Sequence, residues 1–192
     1  MKLAVNYSPQ AARLLHNGAV EVDLYKTSDA AHELDAAHRQ RPAHVHLSLR
    51  AGRGGMDHVN WAAIDDVLHW TGPPYINLYI APYAPDFPGM ALNTNDPCWT
   101  EQVITRVLDD VARVSDIFGA ENVVLENAPW DARPGYLVPR PAIDPAVIAM
   151  IVREAGTGFV LDTAHARIAA LHLDMDPFAY LDALPVERLR EL

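Results

Sequence analysis

The stretch Val123-Val124-Leu125-Glu126-Asn127 decides how this chain is read, together with its echo Phe159-Val160-Leu161-Asp162-Thr163-Ala164-His165. Each is a short apolar run that ends in a carboxylate, and the second adds a histidine three residues on. An unbroken run of Val, Leu and Phe between polar flanks reads as a parallel strand covered on both faces. A carboxylate at the tip of such a strand is costly to bury unless it is paired or binds a metal. In barrels and open α/β sheets alike, the C-terminal end of the strand is where sites form.

Working outward, short apolar segments alternate with helical patterns. The strands expected are Lys2–Tyr7, Glu21–Lys26, Ala43–Leu49, Tyr75–Ile80, Asn122–Glu126 and Gly158–Asp162. Helices are expected at Pro9–Leu15, Asp29–His38, Trp61–Trp70, Pro97–Phe118 and Pro145–Ala155. In the longest, Val103, Val107, Val111 and Val114 recur at helical spacing, with Ile104, Leu108, Ile117 and Phe118 beside them. Ser8-Pro9, Asp96-Pro97, Asp144-Pro145 and Asp176-Pro177 each offer an N-cap oxygen followed by a proline at the first helical position.

This alternation predicts an α/β fold with a parallel sheet and helices outside it. No linker interrupts it, so one domain over residues 1–192 is expected. Six strands fall short of an eight-stranded barrel, which takes about 250 residues, and the last residues, Val186 to Leu192, read as the lead-in to another strand. The expectation is a (β/α)8 TIM-barrel type incomplete at its C-terminus, an open sheet, or a barrel that a second copy completes as a homodimer.

Composition narrows the function. Half of the 192 residues are hydrophobic and 21% are charged, an ordinary globular balance. A net charge of -10, from 25 acidic and 15 basic residues, disfavours a binder of nucleic-acid phosphates. The single cysteine, Cys98, allows no internal disulfide and is read as structural. No apolar stretch is long enough to span a membrane and no signal sequence opens the chain, so a cytoplasmic location is expected.

Alternation along Ala43–Leu49 places His44, His46, Ser48 and, just beyond, Arg50 on one face. Asn77 and Tyr79 form the polar face of Tyr75–Ile80, and Lys26 ends the second strand. For Glu126 the alternatives are metal ligation or a buried salt bridge with Arg50 or Lys26. For Asp162 with His165 they are ligation by a borderline metal or a helix cap with a locally satisfied histidine. His46 is as readily a core histidine as a ligand. Asn127 is a turn residue or one that orients a ligand or substrate. Trp130 and Tyr136 sit in a long loop and are read as packing it down, and His172 as a surface or helix residue.

Leu125-Glu126-Asn127-Ala128-Pro129, then Leu161-Asp162-Thr163-Ala164-His165-Ala166-Arg167, then Asp176-Pro177 through Tyr180-Leu181-Asp182-Ala183-Leu184-Pro185, together resemble the multinuclear non-haem iron-dependent oxidative enzymes. These belong to the xylose-isomerase-like superfamily of TIM barrels. The resemblance implies His46, Glu126, Asp162 and His165 as metal ligands. It implies Arg50, Asn77 and Asn127 as substrate contacts or residues that orient the ligands, and Tyr79 and Lys26, by their places on the strands, are expected to join them in binding substrate. The implied cofactor is iron, with zinc, manganese or magnesium as alternatives. The implied chemistry is modification of cysteine in a small peptide by dioxygen, with a partner protein that presents the peptide. The same superfamily holds divalent-metal sugar isomerases and epimerases, which act on small molecules, and zinc endonucleases. A non-catalytic scaffold is a further reading. The family's fourth-strand histidine has no counterpart in Tyr75-Ile76-Asn77-Leu78-Tyr79, and its seventh strand is expected just after Leu192.

Overall fold

The structure is a computed structural model that describes residues 2–192. Among these residues the chain is α/β, with two sheets whose recorded strand pairings are all parallel. It divides into two compact units. The first takes the chain up to Ser48 and adds Asn60–Ile76; the second takes Leu49–Val59 and Asn77–Leu192. Among the described residues neither sheet closes on itself.

In the first unit β1 (Ala4–Asn6), β2 (Leu24–Thr27) and β3 (Ala43–Val45) lie side by side in that order. Helices α1 (Pro9–His16) and α2 (Ala31–His38) make the crossovers that parallel neighbours require, and α3 (Trp61–Thr71) packs on β3. Tyr25, Ala37 and Ala43 form the core, against which Val5, Tyr7 and Leu15 pack. Tyr7 meets Tyr25 edge to face at 5.3 Å, a favoured aromatic geometry.

The second unit holds a five-stranded sheet in the order β4 (Arg50–Ala51), β5 (Ile76–Ile80), β6 (Val123–Asn127), β7 (Gly158–Val160), β8 (Leu189–Glu191). All five residues of β6 are buried, as its apolar run requires. Around the sheet run α4 (Pro97–Phe118), α5 (Pro145–Ala155), α6 (Thr163–His172) and α7 (Pro177–Ala183). Val103, Val107, Val111 and Val114 form the buried stripe of α4, while Ile117, expected beside them, is 49% exposed. The serine or aspartate of each proline-marked helix start accepts a backbone N–H, as its position dictates.

Two expectations are corrected here. The strand read as Ala43–Leu49 ends at Val45, and Arg50 opens a separate strand in the other sheet. His46 N–H still donates to Thr27 O on β2, whereas Leu49 O accepts from Tyr79 N–H on β5. The polar residues of this segment therefore do not share one strand face. The second correction concerns the C-terminal strand, which lies within the chain at Leu189–Glu191, pairs with β7, and makes six expected strands eight segments. It was hidden because Leu189 and Arg190 are exposed and Glu191 only half-buried, so no apolar pattern marks it.

Tyr180 on α7 is fully buried and donates from its hydroxyl to Ile143 O at 2.8 Å. Burial, and then the Asp144 charge, push this phenol above its ordinary value of 10.0. A proton held more tightly in the folded than in the unfolded state stabilises fully below the unfolded value and progressively less as the pH rises above it. Tyr180→Phe is therefore expected to cost about 1 kcal/mol at neutral pH and to flatten the loss of stability above pH ~10. Urea melts of both proteins between pH 7 and 11 check this.

Candidate metal centre

Glu126 ends the apolar run of β6, and Asp162 follows β7 and leads into α6. The parallel register of these neighbours, with Glu126 opposite Val160, sets the two tips side by side. Asp162 caps α6, accepting His165 N–H on Oδ1 at 2.8 Å, and the first turn of that helix carries the His165 ring back to the carboxylates. Its Nδ1 stands 3.7 Å from Glu126 Oε1 and 3.6 Å from Asp162 Oδ2. One ligand-type atom from each of the three residues falls within 4.8 Å of the others. The cap and ligand readings of Asp162 are compatible, because a carboxylate has an oxygen for each.

Asn127, fully buried, ties the two tips together. Its Nδ2 donates to Asp162 O and its Oδ1 accepts from Asp162 N–H, both at 2.9 Å. Its backbone carbonyl lies 2.9 Å from His165 Nδ1. A carbonyl only accepts, so Nδ1 carries the proton and Nε2 keeps the lone pair. This is how a metal-binding histidine is commonly held by its surroundings. Tyr79 on β5 hydrogen-bonds Glu126, and its ring lies 6.3 Å from that of His165. Burial first, then the Glu126 and Asp162 charges, hold the Tyr79 phenol well above its ordinary range, with Arg50 opposing them. Tyr79 is thus a fixed neutral donor.

The donor set fits a divalent ion. Ligands about 2.1 Å from a common ion stand roughly 3–4 Å apart, and the three residues bring ligand-type atoms within 4.8 Å of one another. Imidazole suits zinc or iron and carboxylates suit manganese or magnesium, so the mixture leaves the metal's identity open.

The expected residues divide between the units. Glu126, Asn127, Asp162, His165, Tyr79, Asn77 and Arg50 belong to the second, and His46 and Lys26 to the first. His46 is half-buried just beyond β3, and Lys26 pairs with Asn6 and His44 in its sheet. Asn77 is buried on β5. Arg50 stands on β4 opposite Tyr79. Cys98 is exposed, its N–H donating to the cap Asp96.

The loops beyond β4, β5 and β6 are knit together in part by Asp110, Gly52 and Arg53, which the sequence did not single out. Asp110 on α4 is buried and accepts Gly52 N–H and Gly54 N–H at 2.7 and 3.0 Å. Gly52, at φ +93, has no room for a side chain, since a Cβ there would meet Val107 and Pro82 at 2.7 and 2.8 Å. Arg53 donates to Ala81 O, Gly135 O and Tyr136 O, each at 3.2 Å. Trp130 stacks on His172 with ring centres 3.6 Å apart, while His172 Nε2 bonds Asn93 Oδ1. Partial burial, and then the Arg140 charge, lower the His172 pKa, which favours the neutral ring in that stack. The packing role read for Trp130 holds, and His172 is its partner rather than a plain surface residue. A lone Arg in Gly-Arg-Gly-Gly or a lone Asp on a helix carries no sequence signature of these long-range bonds.

Compared with known proteins, the chain is similar to a UPF0276 protein of Anaeromyxobacter sp. (strain Fw109-5), 29% identical over 96 residues. That match takes in 49% of this chain and 32% of the relative. A UPF0276 protein of Acinetobacter baylyi is likewise 29% identical over 94 residues, 48% of this chain and 31% of the relative. The matched stretch thus spans about a third of the length of either curated relative. No family model matches the chain. Among the described residues no helix is long and apolar enough to cross a membrane.

Proposed function

We propose that the second unit holds a divalent metal ion through Glu126, Asp162 and His165. We further propose that the chain is an iron-dependent oxidative enzyme acting on cysteine in a peptide precursor. The observation that carries the metal reading is the convergence of these three donors within 4.8 Å from two neighbouring strand tips. The Glu-Asn and Asp-Thr-Ala-His strings that resemble the iron-dependent oxidative enzymes are the very segments that supply them. Similarity to UPF0276 proteins and the parallel α/β architecture support a place in the xylose-isomerase-like TIM-barrel superfamily.

In this reading His165 presents Nε2, its tautomer set by the Asn127 carbonyl. Asp162 keeps Oδ2 for the ion while Oδ1 holds the helix start. Tyr79 steadies the Glu126 carboxylate without contributing charge. A bound iron would supply Lewis acidity and access to dioxygen chemistry, and the protein's task is to fix the ligands and leave coordination positions open.

Two carboxylates against one imidazole favour a second reading, a sugar isomerase or epimerase that uses manganese or magnesium. Metal analysis of anaerobically purified protein separates the two. Stoichiometric iron, with aerobic turnover of a cysteine peptide, is the expected result. Manganese or magnesium without oxygen dependence moves the assignment to the isomerase, and zinc to the endonuclease branch. Added metal at about 100 times its Kd is expected to stabilise the fold by roughly 2.7 kcal/mol, lost again with EDTA. A melting temperature indifferent to both additions overturns the metal reading.

A further inference from the structure

The carboxylate-lined centre has a cationic neighbour that its chemistry does not use. Arg50 lies on β4 directly opposite Tyr79, the residue that hydrogen-bonds Glu126. Its guanidinium rests 4.9 Å from the centre of the Tyr136 ring, and Arg133 lies 4.8 Å from that same ring. Arg133 has its own counter-ion, since Nε and Nη2 grip both oxygens of Asp131. Arg53 is occupied by three backbone carbonyls and lies over Tyr83, with the Asp86 charge nearby. Among the described residues the Arg50 guanidinium has neither arrangement. It stands over the Tyr136 face, and its charge acts on Tyr79, Arg53 and Asp131.

A half-buried guanidinium with five donors is an unusual expense for a fold, because its partial desolvation must be offset, here by a cation–π contact. Burial, and then the Arg50 charge, disfavour the protonated form of Arg53. Asp131 is near enough to feel Arg50 but is already neutralised by Arg133. In a chain of net charge -10, Arg50, Arg53 and Arg133 thus gather around the Tyr136 segment. Tyr136, 41% exposed, leaves the approach open to solvent.

We propose that Arg50 is the anion-recognition residue of the substrate site and takes an oxyanion group, carboxylate or phosphate, of the substrate. The guanidinium fork matches either group in a bidentate fashion, and the tyrosine face fixes its plane. The inference rests on the metal-centre reading only for what the bound substrate then faces. Anion binding itself requires no metal.

The test titrates EDTA-treated protein with inorganic phosphate and, separately, with acetate, and follows binding by NMR chemical shifts or calorimetry. Wild-type protein is expected to bind at least one anion saturably. Arg50→Gln should weaken that binding at least tenfold, with Arg50→Lys between them, since lysine keeps the charge but not the fork. Phosphate preference identifies a phosphorylated substrate, and acetate preference a carboxylate. Thermal melts confirm that both variants fold. No saturable binding to wild type, or equal binding by Arg50→Gln, overturns the proposal. Metal loading measured on the same samples keeps the two readings apart. Protein that binds no metal yet loses anion binding in Arg50→Gln retains this inference and discards the metal centre.

Discussion

Glu126→Gln is expected to lower divalent-metal affinity at least about 100-fold while leaving the fold intact. Removing a residue that merely orients a ligand costs about 10- to 100-fold, so a lost ligand should cost more. Glu126 is 3% exposed, and glutamine preserves its volume in the packed tip of β6. What changes is the charge. With glutamine there, one carboxylate and one imidazole remain, and the attraction that balances desolvation of a divalent ion is much reduced. Glu126→Ala should show the same loss of metal together with a lower melting temperature, because it also opens a cavity at a fully buried strand. Metal content by ICP-MS and metal titration by calorimetry provide the readout. Full metal occupancy in Glu126→Gln would falsify the assignment of Glu126 as a ligand.

The second large effect is expected at Asn127. Alanine there leaves the Asp162 N–H and C=O without the side-chain partners they hold at 2.9 Å. The Asp162 C=O still accepts Ala166 N–H at 3.0 Å, so the part-buried N–H alone is stranded and a loss of about 1–3 kcal/mol is expected. The Asn127 carbonyl belongs to the main chain and survives the substitution, so the His165 tautomer persists while Asp162 loses its restraint. Metal affinity should accordingly fall about 10- to 100-fold. Asn127→Asp is expected to be worse still, placing an acceptor against the Asp162 carbonyl and a third carboxylate at the tips. Denaturant melts and metal titrations read both quantities. A stability change within ~0.5 kcal/mol for Asn127→Ala would show that the clamp carries no energy.

Much of the centre was legible because its residues announce themselves locally. An apolar run that stops at Glu126, and another that stops at Asp162 ahead of a helix, can be read without knowing what lies beside them. The proline-marked helix starts were equally plain, since a cap is a contact between near neighbours in sequence. Ala43–Leu49 was misread for the opposite reason. Its alternation suits one continuous strand, yet β2 takes the segment as far as His46 and β5 takes it from Leu49. Which neighbour a strand pairs with is a property of the sheet, not of the strand. Leu189–Glu191 was obscured because an exposed edge strand needs no apolar face.

The sequence by itself determined the kinds of element, their order and the chemistry at two strand tips, because periodicity, caps and buried charge act over a few residues. Only the tertiary structure decided that Asn127 clamps Asp162, that Asp110 holds the Gly52–Gly54 turn, and that Arg133 takes Asp131 while Arg50 lies over Tyr136. These bonds join residues that lie far apart in the chain or compete for one another's partners. Their strength depends on burial and on which groups are already satisfied, and both exist only once the chain has folded.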